Sequence, residues 1–254
     1  STGLTTNGNP KTHSGTYGHG EGKYEIFVKT VDNAGNESLE SDSFTITYDK
    51  TAPSAPTITF PTEGSYFNTT PILNDWSDVT DTSGIAYYRI EYIYDDAHHF
   101  SGEPYRTTTE SQRYHVPADT EQGGVKFRVQ AIDNAGNEGA WSEWRHYYFD
   151  KTAPLAPTLI SPENNSIVNG STLTNTWSSV VDAVKYIYES YNDENATSLR
   201  FRGTYTTTSK SASNVSNANI WWRVKSVDAA GNESQWSNLW KVTVDNDAPT
   251  ITVN

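Results

Sequence analysis

The sequence predicts an all-β chain of tandem antiparallel β-sandwich modules arranged as a rod. Three observations predict it. First, the stretch Val31-Asp32-Asn33-Ala34-Gly35-Asn36-Glu37-Ser38 returns at residues 132–139 and again at 227–234. Second, a joint signature follows each copy: Tyr48-Asp49-Lys50-Thr51-Ala52-Pro53, then Phe149-Asp150-Lys151-Thr152-Ala153-Pro154, then Val244-Asp245-Asn246-Asp247-Ala248-Pro249. The two landmarks move in step, 101 residues from the first copy to the second and 95 from the second to the third. A period that long matches a whole small domain, not a solenoid unit. Third, no stretch sustains a helical period, whereas short runs alternate apolar and polar residues between turn signals.

On this basis residues 53–153 and 154–248 are expected to be complete modules. Residues 1–52 read as the C-terminal half of a module, and 249–254 as the start of a following strand or a tail.

Residues 1–22 are rich in Gly, Ser, Thr, Asn and His and read as loop. Residues 23–31 and 43–48 alternate and form an expected hairpin with a long connection. Within that connection the Asp-Asn-Ala-Gly-Asn segment is a turn: Gly accepts a positive φ, and Asp and Asn bond nearby backbone. This first repeat lacks the strands that open the other two. Half a sandwich would expose sheet edges, so its complement is expected upstream of Ser1 or from another chain.

In the second repeat, residues 55–61 are an edge strand bounded by prolines, which cannot donate into a ladder. Residues 71–77 carry Trp76, 85–94 form a long Tyr-rich strand, and 113–116, 126–132 and 144–149 complete the set. The third repeat follows the same order at 158–162, 172–177, 184–191, 220–227 and 239–244. Trp76 and Trp177, on the second strand of each, are expected in the core.

The proline-bounded first strand, the Trp on the second, the Tyr-rich third and the aromatic-Arg-Val run before Asp-x-Ala-Gly-Asn together resemble fibronectin type III modules. More closely, the chain is similar to the fibronectin type III-like and Ig-like repeats of bacterial surface proteins, whose joints often read Asp-x-Thr-Ala-Pro. The resemblance implies structural spacer or stalk modules of an extracellular or cell-surface bacterial protein: an adhesin, a surface layer or a filament body. It implies partners in neighbouring modules or subunits of the same protein. Such modules also serve as glycan- or protein-binding adhesion modules and as accessory segments of secreted hydrolases.

Composition narrows the classes. The 254 residues carry a net charge of −13, which opposes binding to nucleic acid or to an anionic membrane surface and suits hard cations, and no apolar run approaches the roughly 18 residues that span a membrane, so no membrane insertion is expected. The absence of Cys excludes thiolate metal sites, disulfides and Cys nucleophiles. The absence of Met points to a processed product or an excised piece. No nucleophile elbow, phosphate loop or zinc motif is present, so no enzyme is expected. His98 and His99 would point to opposite faces of a strand and could not share a metal.

Two constellations remain. Asp49, Asp150 and Asp245 precede the joint prolines, and Asp32, Asp133 and Asp228 end the strands before them. Oxygen ligands gathered at a joint would suit calcium, the one cofactor considered; the same aspartates would also serve as turn caps. The segments Trp141-Ser142-Glu143-Trp144 and Trp236-Ser237-Asn238-Leu239-Trp240 follow strands carrying Arg128 and Arg223. They resemble the Trp–Arg stacking ladder of cytokine-receptor modules, which implies a stiffening role, with a sugar-binding aromatic platform as the alternative.

Overall fold

The computed structural model describes residues 20–27, 29–40, 43–94, 105–108, 112–115 and 122–251. Nearly all of the N-terminal loop expectation, together with His98 and His99, lies outside them. The described residues fall into two compact units. One draws on Ser1–Thr62, Leu73–Tyr114 and Lys126–Arg145, the other on Glu63–Ile72, His115–Val125 and His146–Asn254.

Alternation makes the hairpin of the first repeat. Strands β1 (Gly22–Ile26) and β2 (Phe44–Tyr48) pair antiparallel from Gly22↔Tyr48 to Ile26↔Phe44. The first strand ends earlier than its sequence pattern suggests, at Ile26, and Val31 instead bridges to Glu37 around the turn. Only these two strands of the first repeat lie among the described residues, and Phe27, Val31, Leu39 and Phe44 are all exposed.

The second repeat holds β3 (Ile58–Phe60), β4 (Ser65–Phe67), β5 (Ile72–Trp76), β6 (Ile85–Tyr94), β7 (Tyr105–Thr108), β8 (Gln112–His115), β9 (Gln122–Asp133), β10 (Glu138–Trp141) and β11 (Arg145–Asp150). One sheet runs β3-β5-β8; the other runs β4-β11-β9-β6-β7, with β10 beside β9. On β5 the period of two sends Ile72, Asn74 and Trp76 inward. Trp76 meets the buried Tyr88 edge-on at 5.6 Å.

The third repeat holds β12 (Leu159–Ser161), β13 (Ser166–Val168), β14 (Thr172–Trp177), β15 (Lys185–Tyr191), β16 (Leu199–Tyr205), β17 (Ser209–Ser213), β18 (Ala218–Val227) and β19 (Trp240–Val244). Its sheets are β12-β14-β17 and β13-β19-β18-β15-β16. Leu173 and Trp177 from the first sheet share one core with Tyr188, Trp222, Val224 and Val242 from the second. Trp222 stacks on Tyr188 at 5.9 Å. Each such side chain contributes about 1.5–3 kcal/mol by leaving water.

Six strands exceed the sequence expectation: β4, β7, β10, β13, β16 and β17. The short β4 and β13 add parallel to the last strand of their repeats, which no local pattern announces. Both β16 and β17 lie at sheet edges; β16 mixes apolar and polar residues and is largely exposed, and β17 is a half-buried run of Ser, Lys and Ala.

Candidate functional site

The three signature turns share one construction. Asp32, at the head of its turn, accepts from the Ala34 and Asn36 N–H groups at 2.9 Å and, through its other oxygen, from the Asn36 amide at 2.8 Å. Asp133 accepts from Ala135, Asn137 and the Asn137 amide, all at 2.8 Å. Asp228 accepts from the Asn232 N–H at 2.8 Å and its amide at 2.9 Å. The glycine that follows takes φ of 88–90° in all three turns, a conformation that costs side-chain-bearing residues strain. These bonds hold the Asp32 carboxyl below its ordinary pKa, the Asn36 side chain most strongly.

Each Asn amide has a second hydrogen, and in two of the turns it reaches the preceding joint. Asn137 donates to the Asp49 carbonyl at 3.2 Å and Asn232 to the Asp150 carbonyl at 2.9 Å. The joint is therefore clamped to the turn by one side chain that also ties off its own aspartate. Further contacts differ. At the first joint a Cβ on Gly139 would meet the Pro53 carbonyl oxygen at 2.5 Å, so only glycine fits. At the second, Ser226 donates to the Leu155 carbonyl at 2.6 Å.

The first joint also gathers acid. Asp49, Asp81 and Asp133 each offer a carboxylate oxygen, and the three lie within 4.8 Å of one another. Asp49 and Asp133 are buried. Asp49 accepts from Thr51 N–H at 3.0 Å and Ser83 N–H at 3.1 Å; Asp81 accepts from the Ser83 N–H at 2.9 Å. Hydrogen bonding, led by Ser83, holds the Asp49 carboxyl below its ordinary range against the opposing effect of desolvation. Three carboxylates could supply half of the oxygens that calcium requires. Asp49 and Asp133 were candidates from sequence; Asp81 was not, because its approach depends on how the loop between β5 and β6 folds back. Among the described residues this is the one cluster of three potential ligands, so Asp32, Asp150, Asp228 and Asp245 are not joined in another.

The aromatic ladders are built on the opposing charges of neighbouring strands. Arg128 lies 4.5 Å from the ring centres of both Trp141 and Trp144, and its guanidinium is paired with Glu91. Lys126 covers Trp144 as well, at 5.4 Å. In the third repeat Arg223 stacks on Trp236 at 4.3 Å and on Tyr191 at 5.1 Å, and donates to Glu189 at 2.8 Å. Burial raises the Glu189 pKa, yet Tyr191, Arg223 and Arg202 together hold it below the ordinary glutamate value. Trp240 stands apart from this ladder. It is the first residue of β19, whereas Trp236 lies in the segment before that strand. Trp240 accordingly packs edge-on against the buried Trp222 at 6.2 Å. Trp76 and Trp177 are buried in the cores of their repeats.

In the third repeat the chain passes repeatedly between its sheets, β14 to β15 and β17 to β18, giving a three-stranded sheet packed on a longer one. The fold is fibronectin type III-like. No family model matches the chain, and no curated protein matches it. Among solved structures it is similar to the chicken CNTN1 FN1–FN3 domains, with 14% identity, a TM-score of 0.47, and coverage of 87% of this chain and 75% of that one. It is also similar to the fibronectin(III)-like modules of Clostridium thermocellum CbhA, with 14% identity, a TM-score of 0.46, and coverage of 78% and 100%.

Proposed function

We propose that the chain is a run of structural spacer modules from an extracellular bacterial surface protein, arranged as a rod, and that it carries no catalytic site. The observation that carries this reading is the repeated clamp, Asn137 on the Asp49 carbonyl and Asn232 on the Asp150 carbonyl. A clamp at each joint, next to linker prolines whose φ is fixed, limits swivel between successive repeats. The expected module limits, 53–153 and 154–248, follow from placing the joints there. A compact chain of 254 residues would have a radius of gyration of about 18 Å. Small-angle scattering should return a value well above that; a value near it would overturn the rod.

The adhesion alternative has less support. The ring faces of Trp141 and Trp144 that a sugar would use are shared with Arg128 and Lys126.

We propose calcium at Asp49, Asp81 and Asp133, supported by carboxylate oxygens that lie within 4.8 Å of one another. Calcium there would neutralise three like charges and tie the first joint to two loops of the next repeat. Calorimetric titration of the chelator-treated chain should show one site that disappears in Asp81→Asn. The absence of calcium-dependent heat in the parent chain would remove the metal from the proposal and leave the spacer reading standing.

A further inference from the structure

Each sheet of the third repeat ends on a strand that no further described strand covers: β17 closes the order β12-β14-β17, and β16 closes the order β13-β19-β18-β15-β16. The free side of β17 follows from its ladder. The Trp177 N–H donates to the Thr208 carbonyl at 3.0 Å. Bonded and non-bonded pairs alternate along an antiparallel ladder. The backbone of Lys210 and Ala212 therefore turns to β14, and that of Ser209, Ser211 and Ser213 turns outward. Such an edge is a template for another strand. Proline and bulges commonly spoil the template, but β17 has no proline and pairs in continuous register from Thr172↔Ser213 to Thr176↔Ser209.

The strand has one charged residue, Lys210, and it faces inward. Ala212, two positions on, packs against the core, and Asn175, directly across on β14, is fully buried. The Lys210 amine lies over the ring of Tyr188 at 5.4 Å and over that of Phe201, on β16, at 5.3 Å. It thus reaches from one edge strand towards the other, half-buried, and none of the ion pairs among the described residues includes it. Burial, with Arg200 nearby, holds its pKa below the ordinary lysine value. The stem covers apolar surface while the ammonium keeps its contact with water. A strand laid against β17 would close that way out and leave the charge buried with no acid to replace the water, which is costly. Arg113 holds the same second place in β8, the edge strand of the second repeat.

We infer that Lys210 keeps the β17 edge from taking up a further strand, so that copies of the chain crowded side by side do not merge their sheets. The barrier is the charge and not the backbone, which is free to pair. This goes beyond the spacer reading, which rests on the joints and not on the edges of the sandwiches.

Sedimentation velocity of the full chain over a range of concentrations tests the role of the charge. Lys210→Met and, separately, Lys210→Thr should self-associate with a dissociation constant about tenfold or more below that of the parent. Lys210→Arg keeps the charge and should match the parent. Adding Ser211→Pro to Lys210→Met removes a donor from the free side alone and should restore the parent's behaviour. Failure of both uncharged variants to associate more than the parent overturns the inference, as does association of Lys210→Arg to the same extent. Association of Lys210→Met that survives Ser211→Pro overturns it too, since the copies would then meet by another surface. Urea unfolding at the lowest concentration separates folded association from aggregation of unfolded chains, and uncharged variants that associate only once unfolded also count against it. None of these outcomes bears on whether the monomer is extended, which scattering at high dilution decides separately.

Discussion

The first and second joints carry the same signature, the same capped turn and the same Asn clamp, yet among the described residues only the first collects three carboxylates. The difference traces to one loop. In the second and third repeats a tyrosine hydroxyl accepts from the backbone shortly after the core Trp: Tyr88 from Val79 at 3.2 Å and Tyr186 from Val180 at 3.0 Å. From Asp81 to Tyr88 the chain is three residues longer than from Asp182 to Tyr186. The extra length includes Ser83 and Gly84, whose carbonyls bond the Asn134 side chain and N–H at 2.9 Å each, while Ser83 N–H reaches Asp49 and Asp81. The third repeat has Ala229 where Asn134 stands and lacks the extension. A shared signature thus sets a shared joint, and a loop outside the signature decides what chemistry the joint holds.

The largest effect should come from breaking what the joints have in common. Asp133→Ala or Asp228→Ala removes a buried carboxylate and its charge-assisted bonds to the turn and should cost about 1.5–3 kcal/mol in urea unfolding. If either variant unfolds like the parent, the caps are not structural. Calcium separates the joints next. With the ion at ten times its Kd, stabilisation should be about 1.4 kcal/mol, lost in Asp81→Asn and retained in Asp182→Asn; equal calcium responses in the two variants would erase the distinction. Asn134→Ala should cost about 1 kcal/mol through its loop bonds and speed hydrogen exchange at Ser83, whereas Ala229→Asn should change neither.

Acid gives the smallest effect. The Asp49 carboxyl is held below the ordinary aspartate value of 3.8, so its stabilisation is fully present above that value and fades as pH falls through its lowered folded pKa. Glu189 behaves in the same sense, with 4.5 as the ordinary value. Protection of the Thr51 and Ser83 amides, relative to their intrinsic exchange, should therefore fall as pH drops through the lowered folded pKa of Asp49, and Asp49→Asn should abolish that dependence.

Much of this was legible in the sequence, because it lies in signals that repeat. The in-step signatures locate the turns and joints, and alternation locates β5, β6, β14, β15 and β18. The edge strands β16 and β17 escaped because an edge strand need not alternate cleanly, and β4 and β13 because three residues carry too little pattern. Of the first-joint carboxylates, Asp49 and Asp133 stand in the signatures, while Asp81 arrives through a loop whose path depends on Asn134, far off in sequence. Glu91 and Glu189, which neutralise the ladder arginines, were equally hidden, since cross-strand pairing joins residues distant in the chain.

Gly139 has a consequence for anyone who would rearrange these repeats. Its hydrogen sits where the Pro53 carbonyl leaves no room for carbon, while the third repeat has Ser234 at that position and seats its own linker. The repeats are therefore not interchangeable beads. Splicing the third repeat directly behind the first linker would press a serine Cβ into a backbone oxygen, and the graft would fit only if the linker were exchanged with it. The transferable part is a linker together with the turn that receives it, a cassette whose ends fall inside the sandwiches and not between them.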